Sequence, residues 1–181
     1  MGVPGGSTRL NSVAEAEAYI KRIRGFGQIY AQTTANARRG LDTGLVQARS
    51  VTESALTLAK WLETRDEVAR VLHPALPSFP GHELWKRDFT GASGIFSFVL
   101  KAESPDRFKA KAHAFLDALR LFGLGYSWGG FESLATFESP QLAFRRHPPE
   151  LPGALIRLHV GLEDPADLIA DLDQAFARAA G

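Results

Sequence analysis

The chain has 181 residues, a formal net charge of +1 and no cysteine. Its length is typical of one domain, alone or with an appendage, and its 45% hydrophobic fraction is too high for a disordered chain. The basic residues are scattered, which argues against a nucleic-acid-binding face, and the missing cysteines exclude disulfides, thiolate zinc sites and a cysteine nucleophile. Neither a signal-peptide pattern nor an apolar run of the about 20 residues that cross a bilayer occurs, so we expect a cytoplasmic protein.

The first third of the chain predicts helices with little of their own to pack against. Residues 1–11 are glycine-rich and should be irregular, and Ser12 with Glu15 forms a capping box that opens a helix. A longer helix is predicted from about Leu45 to Glu63, either bridging two domains or packing as a plain core helix. Its apolar stripe comprises Leu45, Ala48, Val51, Thr52, Ala55, Leu58, Ala59 and Leu62.

From about residue 65 the pattern changes to short strands separated by helices and loops. Strands are predicted at 68–72, 93–101, 121–126, 132–137 and 154–160, helices at 82–88, from Ser104 and from Asp164, and a loop at 141–152. Strands outnumber the helices that could cross between them. This order predicts an α+β fold with a small mixed or antiparallel sheet and helices on one face.

The strand at 154–160 alternates between two faces. One face carries Ile156, Leu158 and Val160, and the other carries Leu155, Arg157 and His159. The first face is typical of a core. A guanidinium in the middle of the second face has two interpretations, which the pattern leaves open. Arg157 is either a harmless charge on an edge strand or a ligand for a carboxylate or phosphate, which its planar fork fits bidentately.

The stretch YSWGGFESL, residues 126–134, also has two interpretations. Gly129 and Gly130 allow a sharp turn or a close approach to a ligand, Trp128 offers an apolar wall and Ser127 a hydroxyl. The alternative is a tight strand connection with a half-buried tryptophan. The five histidines show no metal-ligand spacing, and each is a candidate for acid–base chemistry only on general grounds: His73, His82, His113, His147 and His159.

Two motifs, YSWGGFESL and LIRLHVGLEDPADLIADL, closely resemble the C-terminal region of the pyridoxal-phosphate-dependent Cys/Met metabolism family, which has the aspartate aminotransferase fold. HPALPSFPGHELWKRDFTGASGIFSFVL resembles the segment that leads into the small domain of these enzymes. The resemblance runs from about Gly27 to the C-terminus and more weakly back to Gly5. Within the family, HELWKRDFTG and SWGG favour the cystathionine β-lyase branch over the γ-lyases and γ-synthases.

The resemblance implies a division of the chain and roles for four residues. Residues 1–27 would be the end of the large cofactor-binding domain, 28–64 linking helices and 65–181 the C-terminal small domain. Arg157 matches the arginine that binds the substrate α-carboxylate. The residues matching the lining of the substrate pocket are Ser127, which lies near that carboxylate, Trp128 and, at a neighbouring position, Tyr126.

The lysine that binds the cofactor covalently is the main departure from the family pattern. It belongs to a segment like TKYxxGHSD, just before a glycine-rich stretch that matches Gly5, Gly6 and Ser7 here, so it would fall before Met1. Lys21, Lys60 and Lys86 have no family match. No catalytic residue and no metal site is therefore assigned, and covalent binding of pyridoxal phosphate by this chain alone is not expected.

Three functions remain open from the sequence. The chain could be part of a lyase that converts cystathionine to homocysteine, pyruvate and ammonia by α,β-elimination, inactive alone. It could instead be a non-catalytic interaction module, or a free-standing binder of amino-acid carboxylates. The resemblance implies a cystathionine-like substrate, and either a homo-oligomer or association with a cofactor-binding domain. An exposed apolar surface is expected on the first helices, at Ile20, Ile23, Leu45, Val51, Leu58 and Leu62.

Overall fold

The computed structural model describes residues 51–126, 128, 130–142 and 144–179. These residues belong to one compact unit that runs from Gln47 to Gly181. The elements in chain order are α1 (51–63), β1 (Val68–Leu72), α2 (His82–Asp88), β2 (Ile95–Lys101), α3 (Pro105–Ala118), β3 (Gly123–Leu124), β4 (Leu134–Phe137), α4 (Ser139–Leu142), β5 (Gly153–His159) and α5 (Pro165–Ala179). The helix predicted at Ser12 lies outside the described residues, and the predicted division at 27 and 64 stays a prediction.

The five strands form one mixed sheet in the order β1-β2-β5-β4-β3. β3 and β4 are parallel, and the other neighbours are antiparallel. The predicted α+β fold with a small mixed sheet is confirmed. Strand β5 lies in the centre, bonded to β2 on one side and to β4 on the other. The interpretation of Arg157 as an edge-strand charge is therefore wrong, because the strand order could not be read from a local pattern.

The hydrophobic core lies between the sheet and three helices on one of its faces. Ile156 and Leu158 of β5 are fully buried there, as the alternation predicted. Phe98 of β2, Phe115 of α3 and Phe176 of α5 pack as an aromatic trio with ring centroids 4.8–6.1 Å apart. Each buried large side chain contributes about 1.5–3 kcal/mol relative to exposure, so this layer holds helices and sheet together.

Helix α1 joins this same core. Leu58 and Leu62 have no exposed surface, so the expectation that they would be exposed is wrong. That expectation assumed that the helix has no surface to pack against, but the helices that cover the sheet in the same unit provide one. Val51 is half-buried, and Ile20, Ile23 and Leu45 lie outside the described residues. Arg65, just after α1, secures the junction by lying over the rings of Trp61 and Phe176 and pairing with Glu67 and Asp173.

The helix starts agree with the predicted capping chemistry in part. Asp164 Oδ1 accepts a hydrogen bond from Ala166 N at 2.8 Å, which satisfies one of the free donors at the start of α5. Ser104 has extended backbone angles at the start of α3 but makes no side-chain capping bond. The loop predicted at 141–152 overlaps α4 at its start, because this single helical turn ends at Leu142.

Strand β3 is shorter than the predicted 121–126 because a side chain takes its first backbone donors. The buried carboxylate of Asp171, in α5, accepts hydrogen bonds from the backbone N–H groups of Arg120, Leu121 and Phe122 at 2.8–3.3 Å. Gln174 Nε2 donates to the same carboxylate and to Ala118 O at the end of α3. The chain between α3 and β3 is thus fixed by α5 rather than by a neighbouring strand.

We predict that Asp171→Ala lowers the free energy of unfolding by about 2–4 kcal/mol, because three backbone N–H donors, one of them buried, lose their carboxylate acceptor. Urea unfolding followed by circular dichroism measures the change. Asp117→Ala, at an exposed position of α3, is the matched control and should shift stability by no more than about 0.5 kcal/mol. Equal stability of the two variants would show that Asp171 does not hold this segment.

Candidate functional site

Arg157 lies in the middle of β5, on the sheet face opposite the three helices. Its neighbours across the strands are Ser97 of β2 and Thr136 of β4. Both are small hydroxyl residues, which leave room between them for a large planar guanidinium. The Arg157 side chain is half-buried. A charge held partly out of water in a central strand is costly unless polar groups face it.

Two side chains of this face contact the connection between β3 and β4, residues 125–133, which we call the aromatic loop. Arg157 Nη2 donates a hydrogen bond to the carbonyl oxygen of Tyr126 at 3.1 Å. His159 Nε2 lies 3.4 Å from the carbonyl oxygen of Gly130, a long contact. Because Arg157 and His159 are two residues apart on one strand, the loop lies across the C-terminal half of β5.

The far end of the aromatic loop is held by the turn between β5 and α5. Leu162 N donates to Phe131 O at 2.8 Å. The Glu163 carboxylate accepts from Ser133 N at 2.7 Å and from Ser133 Oγ at 2.8 Å, and Ser133 Oγ accepts from Gly161 N at 2.9 Å. A Cβ on Gly161 would lie 2.2 Å from Phe131 O, so only glycine permits this close approach.

The aromatic loop presents large apolar side chains to solvent. Tyr126 is 59% exposed, Trp128 67% and Phe131 72%. The expectation of a half-buried tryptophan is therefore wrong, while the choice between a plain strand connection and a ligand-lining segment is not decided by this exposure. A cationic fork beside exposed aromatic surface suits a ligand with a carboxylate at one end and an apolar chain at the other.

The structure brings some of the predicted site residues together. Arg157 contacts the backbone of Tyr126, and Trp128 follows two residues later in the same loop. Ser127 lies outside the described residues. Sequence reasoning missed the roles of Ser133 and Glu163, which hold this loop. A partial signal existed for His159, since the alternation that placed Arg157 on its face placed this histidine beside it.

The part of the chain that the structure describes was compared with the requirements of a metal site and of a lysine site for pyridoxal phosphate. Within it, no three His, Asp or Glu side chains cluster closely enough to hold a metal ion. Its lysines, Lys60, Lys86, Lys101, Lys109 and Lys111, are exposed or half-buried. Pyridoxal phosphate requires an enclosed lysine, so these residues do not fit that group. None of the described helices is long and apolar enough to cross a membrane.

The described residues form a small mixed sheet with helices, and an arginine lies in the central strand of that sheet. Residues 6–177 match the family described as Cys/Met metabolism PLP-dependent enzymes, and the chain belongs to this family.

Individual relatives and a solved structure agree with this assignment. A protein from Rhizobium johnstonii is 62% identical over 142 residues, which cover 78% of this chain and 35% of that protein. Cystathionine β-lyase MetC from Escherichia coli is 50% identical over 151 residues, covering 82% and 38%. The crystal structure of cystathionine γ-synthase from Xanthomonas oryzae pv. oryzae in complex with cystathionine is 33% identical with a TM-score of 0.67, covering 78% and 37%. The chain thus spans somewhat more than a third of the length of these proteins.

One of the histidines is a core residue. His73 is almost fully buried, its Nδ1 accepts a hydrogen bond from Ala75 N at 3.2 Å, and its ring packs edge-on against Phe96. Burial disfavours the charged ring and lowers the pKa of His73 below its ordinary value of 6.5. The neutral ring is the form that the fold stabilises, and no acid–base role is assigned to it.

We predict that the chain loses stability as the pH falls below about 6.5, by up to about 1 kcal/mol per pH unit from His73. Below that pH the unfolded chain binds a proton at His73 that the folded chain excludes, so protonation favours unfolding. His73→Asn keeps an acceptor for Ala75 N but cannot titrate, and it should flatten this part of the pH dependence. Urea unfolding at pH 7.5, 6.5 and 5.5 tests this, with exposed His147→Asn as control. Identical pH dependence in both variants would contradict it.

Proposed function

We propose that this chain supplies the substrate α-carboxylate site of a PLP-dependent cystathionine β-lyase, with Arg157 as the carboxylate ligand. The observation that carries the proposal is the position of Arg157, half-buried in the central strand and bonded to the loop that bears Tyr126 and Trp128. A structural charge would lie more cheaply at an edge or in solvent. The resemblance to the family implies the same role, since Arg157 matches the arginine of the motif that binds the substrate carboxylate.

The contacts of Arg157 explain how it would work. A guanidinium has five N–H donors in a fixed plane and binds a carboxylate through two parallel hydrogen bonds. The bond from Nη2 to Tyr126 O fixes the plane of that fork, so less conformational freedom is lost when the substrate binds. We infer that Ser127 lies near the bound carboxylate and that Trp128 and Tyr126 line the pocket for the substrate chain.

The proposed reaction is the α,β-elimination of a cystathionine-like amino acid. Pyridoxal phosphate, when bound, supplies the electron sink for such an elimination. The motifs HELWKRDFTG and SWGG support the β-lyase branch, as does the identity of 50% to the Escherichia coli β-lyase. The described lysines do not fit the cofactor, so we assign its binding to a cofactor-binding domain with which this chain acts, in a homo-oligomer.

A second candidate function is the binding of amino-acid carboxylates without catalysis. It is favoured by one observation: Arg157, the aromatic loop and the turn that holds the loop all belong to one compact unit. The two functions share the role of Arg157 and differ in whether turnover occurs once a cofactor-binding domain is supplied.

We predict that Arg157→Ala lowers kcat/KM about tenfold to a hundredfold in a hybrid enzyme. The hybrid carries the matching residues of this chain in place of the 151 aligned residues of the Escherichia coli β-lyase. The loss corresponds to about 1.5–3 kcal/mol for charged hydrogen bonds. Arg157→Lys keeps the charge without the planar fork, so its kcat/KM should lie between those of the parent hybrid and Arg157→Ala.

The control for this experiment is Arg70→Ala, which removes an exposed arginine from the edge strand β1 of the same sheet. It should leave kcat/KM within about twofold of the parent hybrid. If Arg157→Ala keeps the parent efficiency with its fold intact, Arg157 is not the carboxylate ligand. An inactive parent hybrid that still binds the substrate in calorimetry would favour the non-catalytic binder.

We also predict that the 181-residue chain alone forms no stoichiometric covalent adduct with pyridoxal phosphate. The described lysines are exposed or half-buried, and none is placed to react selectively. Borohydride reduction of a mixture with the cofactor, followed by intact-mass and peptide mass spectrometry, measures labelling. The intact Escherichia coli β-lyase serves as the positive control. Complete labelling of one particular lysine of this chain would contradict the prediction.

A further inference from the structure

The contacts between the β5–α5 turn and the aromatic loop point to a role for Glu163. We propose that Glu163 is a positioning residue that holds the aromatic loop, and with it the pocket-lining residues, in place over Arg157. This inference rests on the proposed function, because it concerns the same substrate site. It assigns the precision of that site to a carboxylate that is not itself a substrate ligand.

Ser133 is the point at which Glu163 acts. This serine is fully buried and makes four hydrogen bonds to three residues in two separate parts of the chain. Its N–H and Oγ–H donate to Glu163, its Oγ accepts from Gly161 N, and its carbonyl accepts from Gly123 N of β3 at 2.9 Å. Ser133 therefore ties the end of the aromatic loop to β3 and to the β5–α5 turn at once.

The charge of Glu163 is required for this arrangement. Ser133 presents two donors, N–H and Oγ–H, to one carboxylate, and only an ionised carboxyl group accepts at both oxygens. A glutamine at 163 would offer one acceptor and one NH2 group. The NH2 group would then face Ser133 Oγ, which already accepts from Gly161 N, and the hydroxyl proton of Ser133 would lose its acceptor.

The link to the substrate site follows from where the loop is held. At one end, Arg157 holds Tyr126 O, and at the other end Leu162 N holds Phe131 O beside the bond pair of Glu163 and Ser133. Trp128 lies between these two points. If the second point loosens, the loop occupies its binding geometry for a smaller fraction of time, and apparent substrate affinity falls in proportion.

The first test uses the 181-residue chain and amide hydrogen exchange followed by NMR. Glu163→Gln should speed exchange of the Ser133 and Gly161 amides about tenfold and leave the amides of β5 unchanged, because the opening is local. Glu150→Gln, at an exposed position, is the matched control and should change neither. Unchanged exchange at Ser133 in Glu163→Gln would overturn the proposal.

The second test uses the hybrid enzyme and separates positioning from stability. Glu163→Gln should raise KM about threefold to tenfold with kcat within about twofold, the signature of lost uniform binding. Asp171→Asn weakens another carboxylate, which is buried and holds residues 120–122 instead, so it should lower Tm without raising KM. The double variant Ser133→Ala/Glu163→Ala should raise KM no more than Glu163→Ala alone. Both substitutions remove the same contact, so their effects should not add.

The outcomes distinguish this inference from the proposed function. Faster exchange with a raised KM supports the positioning role. If Arg157→Ala lowers kcat/KM but Glu163→Gln does not raise KM, the positioning role is overturned and the proposed function stands. If exchange becomes faster but Arg157→Ala keeps the parent kcat/KM and Glu163→Gln keeps the parent KM, the proposed function fails, and the positioning of a substrate fails with it.

Discussion

Strand β5 is hydrogen-bonded on both sides, and this central position constrains everything around it. Each of its side chains must point either into the helix-covered core or towards the opposite face, where Arg157 and His159 lie. Packing of the core face fixes the strand, and the fixed strand holds the backbone of Arg157 and His159 in place. A guanidinium on such a strand has a backbone with little freedom to move, so the sheet sets the position of its charged group. Sites on strands and helices are in general more precise than sites on loops.

Two carboxylates near the C-terminus shape a region thirty to fifty residues before them. Asp171 takes the backbone donors that precede β3, and Glu163 takes those at the end of the aromatic loop. Both act where the chain leaves the regular ladder, and both replace a missing strand neighbour with a fixed negative charge. The end of the aromatic loop is held in this way, in a loop that exposes large apolar side chains such as Trp128.

The parts of the fold that were predictable are those whose hydrogen bonds and packing follow a local period. The alternation of Ile156 and Leu158 identified a core strand, and Asp164 with Pro165 identified the start of α5. The strand order could not be read in this way, and it changed the meaning of Arg157 from an edge charge to a central one. The start of β3 was also out of reach, because the backbone donors just before it are taken by Asp171, about fifty residues away. Likewise, motifs predict Arg157 and Tyr126 as site residues, whereas the contact between Ser133 and Glu163 spans thirty residues and is visible only in the structure.

The late position of these carboxylates has a consequence for the order of events on the ribosome. During synthesis, α3, β3 and β4 leave the exit tunnel before β5 and α5, yet the sheet cannot close until β5 inserts between β2 and β4. The backbone donors of residues 120–122 and of Ser133 lack their acceptors until Asp171 and Glu163 have been synthesised. Such non-local closure is slow and leaves strand edges open in the meantime. Nascent chains that lack α5 therefore expose open strand edges, and this is the form of the protein that we expect chaperones to bind.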